Sequence, residues 1–98
     1  MDVELKAELE RARQAAAEAR RLVEVAERAG VPRAEAARRR HELDRLEDVG
    51  RSAVLECLEH GEPALALTAA QGLADAIEDE GQRAARDLVL LRRAAEAR

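Results

Sequence analysis

No phenylalanine, tyrosine or tryptophan occurs among the 98 residues. That absence removes the stacking platforms on which single-stranded nucleic-acid binders rely, and the aromatic lining that most small-molecule pockets offer. Cys57 is the only cysteine, so no disulfide closes within one chain and a reducing compartment is expected. Lys6 is the only lysine and the net charge is −4, so no basic surface dominates and nucleic acid is not an expected partner. With 39% of residues charged, no stretch is apolar enough to span a membrane, and none is expected to lie in one. The start, Met1-Asp2-Val3-Glu4, continues as an amphipathic pattern and reads as neither a signal nor a transit peptide, which points to the cytoplasm. Strand formers are equally scarce: the valines are scattered through helical patterns and never form period-two runs.

What is abundant is alanine, leucine, glutamate and arginine, the composition of long helices and coiled-coil-like bundles. Asp2 is a candidate N-cap, with Glu4 in the positive first turn. Leu5, Leu9, Ala12, Ala16, Ala19, Val23 and Ala26 then follow at steps of four and three, the spacing of one helical stripe. Gly30 supplies the left-handed residue past a helix end, Val31 its hydrophobic contact, and Pro32 a start for the next helix. Leu43, Leu46, Gly50, Ala53 and Cys57 carry the second stripe until Gly61 ends it, and Glu62-Pro63 restarts the chain. Leu67, Ala70, Ala74, Ile77, Gly81, Ala84, Leu88, Leu91 and Ala95 form the third stripe. Gly81 does not split it, because Asp79 and Glu80 would then lie at a negative helix end and Arg83 and Arg86 at a positive one. Such short connections force antiparallel neighbours. The expected fold is all-α: one domain over residues 1–98, an antiparallel up-down-up three-helix bundle with helices at about 2–29, 33–60 and 63–97, able to form part of a larger oligomeric bundle.

Gly50, Gly72 and Gly81 fall inside helices, where each costs about 1 kcal/mol relative to alanine. With Ala12, Ala16 and Ala19 they mark a place of close helix packing or a cavity for a small molecule. Other apolar residues exceed what one stripe can bury. Leu88 to Leu91 are consecutive and point all round their helix, and similar surplus occurs near Leu55 and Leu65. Val54, Leu55, Leu58, Leu65, Leu73, Val89 and Leu90 are accordingly the expected oligomer interface, on the second and third helices.

Cys57 and His60 lie three apart on one helix face, as a thiolate–imidazole pair would require. Cys57 also falls on the apolar stripe, where an inert thiol is commoner, and His60 sits at a helix end that favours a histidine for its dipole. His41, among Arg38, Arg39, Arg40, Asp44 and Arg45, reads as part of a solvated charged face, and Thr68 and Gln71 as surface residues. No Glu-x-x-His pair, phosphate loop, HExxH or GxSxG occurs, so no catalytic residue, metal site or cofactor is expected.

The unbroken stripes, the Ala/Glu/Arg/Leu surface of Glu8 to Arg21, and the connections Ala29-Gly30-Val31-Pro32 and His60-Gly61-Glu62-Pro63 resemble de novo designed helical bundles over the whole chain. The free Cys57 and the mid-helix glycines depart from that pattern. Val54 to Ile77 looks distantly like small helical bacterial immunity or hypothetical proteins. The expected function is structural: a non-enzymatic bundle that forms a homo-oligomer through apolar faces of its second and third helices. The alternative is a module that binds a small molecule or a partner protein at its Gly/Ala-lined centre or exposed apolar face.

Overall fold

In the computed structural model, which describes residues 2–97, three helices follow one another: α1 (Val3–Arg28), α2 (Arg33–Glu59) and α3 (Pro63–Glu96). They form the expected three-helix bundle, and α3 runs without interruption through Gly81. Asp2 caps α1, its Oδ1 accepting the Glu4 N–H at 3.2 Å. Both connections close in the same way. Past α1, the Val31 N–H donates to the Ala26 carbonyl at 3.0 Å and the Gly30 N–H to that of Glu27 at 3.2 Å. Past α2, Glu62 donates to Cys57 at 2.9 Å and Gly61 to Leu58 at 3.1 Å. This pattern needs a left-handed residue, and Gly30 and Gly61 take φ of 124° and 71°.

Alanine decides how the helices meet. Along α1 the buried residues are Leu5, Ala12, Ala16, Ala19, Val23 and Ala26, the sequence stripe with only Leu9 left half-buried. Facing them, α3 buries Ala66, Ala70, Leu73, Ala74, Ile77, Ala84 and Leu88. With side chains this short the backbones approach closely: a Cβ built on Gly81 would lie 3.6 Å from the Ala19 Cβ and 3.8 Å from its Cα. The α1–α3 pair is the most extensive contact, α2–α3 the next, and α1–α2 the least. The bundle is correspondingly flattened, 58 × 22 × 14 Å, with α3 gripped from both sides. Leu43 and Ile77 are the largest fully buried side chains of its core.

Arginine ties the helices together at the surface. Arg11 of α1 reaches Asp75 (3.0 Å) and Glu78 (2.7 Å) of α3. Arg20 of α1 reaches Asp44 (2.6 Å) and Glu47 of α2, while Arg40 of α2 returns to Glu27 at 3.3 Å. Within helices, arginines three residues on hold the carboxyls of Glu10, Glu18 and Glu42 below their ordinary value by direct hydrogen bonds. These exposed pairs fix helix register more than they add stability.

The expected oligomer interface needs two corrections. Val54 is 2% exposed, packed with Leu5, Ala66 and Ala70. Leu73 is 6% exposed because it fills the hole left by the missing side chain of Gly50 on α2. A stripe drawn on one helix does not show a glycine on the helix opposite. Gly72 is a third correction: it lies on the surface with nothing within 4 Å of where its Cβ would stand, so it serves neither close packing within the chain nor an internal cavity.

Candidate functional site

The seam between α2 and α3 carries the most distinctive surface. Gly50 against Leu73 fixes the level at which the two antiparallel helices meet. On α2, Leu46, Val49 and Ala53 share one stripe at i, i+3 and i+7, and on α3 Ala69, Gly72 and Ala76 share another at the same spacing. Both stripes run on either side of the Gly50–Leu73 level, along the solvent edge of the seam. Leu46, Ala53, Ala69 and Ala76 are half-buried, and Val49 is 58% exposed. None of these six residues is ionisable. Following the stripes toward the other end of the bundle, the same seam turns charged, with Arg39 on α2 and Glu80, Arg83 and Asp87 on α3. One half of the seam is therefore apolar and open, the other ionic.

A second open surface lies between the first half of α1 and the last half of α2, the pair of helices with the least contact. Lys6, Leu9, Glu10 and Arg13 form one wall and Arg51, Val54, Leu55 and Leu58 the other, around a groove of about 340 Å3. Each wall again follows the i, i+3, i+4, i+7 spacing of a helix face. The floor is apolar. The rim holds three cations and one carboxylate, and Arg13 is engaged by Glu10 at 2.6 Å.

Of the remaining residues expected at the interface, Leu55 and Leu58 line this groove, Leu65 lies exposed near the start of α3, and Val89 and Leu90 are exposed close to its far end. The structure does not bring them together on one surface. Ala12, Ala16 and Ala19 are core, as close packing requires. Cys57 is half-buried against the cluster of Leu5, Val54, Ala66 and Ala70. His60 caps its own helix, its Nδ1–H donating to the Glu56 carbonyl at 2.8 Å. Thr68 donates its hydroxyl to the Ala64 carbonyl at 3.2 Å and faces solvent. Among the described residues no three metal-ligating side chains gather, and no helix is long and apolar enough to cross a membrane.

No protein family, curated protein or solved structure matches this chain. The sequence reading missed Leu46, Val49, Ala53, Ala69 and Ala76 as a shared surface. The available signal was Val49, an apolar residue beside the main stripe of α2 and i, i+4 from Ala53.

Proposed function

We propose that this chain is a structural assembly module whose copies associate through the apolar half of the α2–α3 seam. Gly72 carries the reading. A mid-helix glycine costs about 1 kcal/mol relative to alanine. Gly50 has a packing reason in Leu73, and Gly81 faces Ala19 at ordinary contact distance, but Gly72 has no neighbour within the chain. A helix of a second copy seated on Gly72 supplies the missing reason, since the bare backbone lets it approach closely. The surroundings suit a self-complementary contact: a two-fold axis brings the patch against itself, and with no charge among the six residues no like charges meet at its centre.

The test is solution mass by light scattering with refractive-index detection, since the chain lacks aromatic absorbance. A mass at two or more times 10.7 kDa is expected for the unchanged sequence, and 10.7 kDa for Val49→Glu, which places a charge on the patch without touching the core. Gly72→Ala is expected to act in two directions, raising helix stability in dilute monomer by about 1 kcal/mol while lowering the associated fraction. A 10.7 kDa monomer across the accessible concentrations would sink the proposal.

The groove between α1 and α2 favours a second reading, in which the occupant is a different helix. Lys6, Arg13 and Arg51 line its rim, Arg13 paired with Glu10 and Arg51 with Glu47 at 3.5 Å, and the cation excess among the lining residues suits an amphipathic helix with acidic flanks. Leu55→Glu separates the two readings: it alters the groove and leaves the seam intact, so self-association should survive in that variant while binding of an acidic-flanked amphipathic helix should be lost.

A further inference from the structure

The ionic half of the α2–α3 seam encloses a cavity of about 180 Å3. Val23 and Leu43, both core residues, form its apolar floor. Arg39 from α2 and Glu80, Arg83, Arg86 and Asp87 from α3 form the walls, three guanidiniums against two carboxylates. The carboxylates are committed: Asp87 accepts from Arg39 Nη2, and Glu80 from Arg83 Nη1 at 3.2 Å. Two donors remain. Arg86 has no ion-pair partner among the described residues, and Arg39 Nη1 is shut off from solvent with no hydrogen-bond partner there. A desolvated guanidinium N–H without an acceptor is costly. Burial works to lower the Arg39 pKa, but hydrogen bonds from its guanidinium to Asp87 and Glu35 outweigh it and the net shift is upward, so the group stays charged.

We infer that this cavity binds a small oxyanion, with a phosphate group held between Arg83 and Arg86 and beside Arg39, whose buried Nη1 lacks an acceptor. The chemistry fits on three counts. Arginine presents paired N–H donors that match tetrahedral and planar oxyanions. Arg83 and Arg86 are three residues apart on one helix and so stand side by side. A phosphate brings a charge that the lining, at one cation in excess, leaves uncompensated. Acetate offers two acceptor oxygens and one charge, so it should bind more weakly.

Thermal unfolding followed by circular dichroism at 222 nm tests this, with inorganic phosphate or acetate added at constant ionic strength and fixed protein concentration. A saturable rise of roughly 5–10 °C is expected once phosphate exceeds its dissociation constant tenfold, with a smaller rise for acetate. Arg86→Gln, an exposed change away from the apolar half of the seam, should abolish most of that rise while leaving the solution mass as it is in the unchanged sequence. No phosphate-specific rise would overturn the inference. So would a rise of equal size in Arg86→Gln, because exclusion of phosphate from protein surfaces stabilises any fold regardless of one arginine.

Discussion

Replacing Ile77 by alanine should cost about 2–5 kcal/mol and lie in the upper half of that range. Ile77 is fully buried, and with Leu43 it is the largest side chain that is. Around it the main core cluster is dominated by alanines, among them Ala12, Ala16, Ala19, Ala74 and Ala84. Three carbons are removed, worth about 2.4 kcal/mol at roughly 0.8 kcal/mol per buried methylene. The cavity left behind adds to this, and alanine neighbours have no side-chain reach with which to fill it. In a domain of this size each kcal/mol moves the midpoint by roughly 4–8 °C, so Ile77→Ala should lower it by well over 10 °C on that scale. Urea or thermal unfolding at one protein concentration, read by circular dichroism, gives the number. A loss below about 1 kcal/mol would mean that the α1–α3 core is not packed as described.

The second large effect concerns Gly50, where the same substitution should have opposite signs at two glycines. An alanine Cβ at Gly50 would stand 2.5 Å from Leu73 Cδ1, 2.9 Å from its Cγ and 3.0 Å from its Cδ2. Because the branching carbon is involved, no rotation of one methyl clears the clash, and Leu73 is itself buried. Overpacking of this kind costs about 1–3 kcal/mol, against a gain of about 1 kcal/mol in helix propensity, so Gly50→Ala should destabilise. At Gly81 the new Cβ would meet Ala19 at 3.6 Å, an ordinary contact, so the propensity gain remains and Gly81→Ala should stabilise. Combining Gly50→Ala with Leu73→Ala should cost less than the sum of the two single changes, since the second removes the atoms that the first strikes. Strict additivity would separate the two residues and sink this account of why Leu73 is buried.

Much of the architecture was legible in the residues. The α1 stripe from Leu5 to Ala26 is the buried face almost residue for residue, because α1 packs mainly on α3 and a helix with one dominant partner shows one clean stripe. The ends of the helices were equally plain, since Gly30 and Gly61 are among the few residues that take a left-handed conformation without strain. Continuity through Gly81 followed from the charges on either side of it.

Helix α2 shows what local pattern does not contain. Its apparent stripe of Leu43, Leu46, Gly50, Ala53 and Cys57 buries only Leu43, while Ala36 and Val54 join the core instead. The phase of a stripe depends on which neighbour the helix leans against, and α2 leans on α3 while standing off from α1. That asymmetry opens the groove beside Leu55 and leaves the seam beside Val49 uncovered. The three internal glycines make the same point. They look alike in sequence, yet one receives a leucine, one meets an alanine and one faces solvent. Helix lengths, ends and antiparallel order follow from interactions within a few residues of one another, so the sequence alone determined them. Which glycine was a hole, which leucine was core, and which arginines converge on one cavity depended on the register between α2 and α3, and only the tertiary structure decided that.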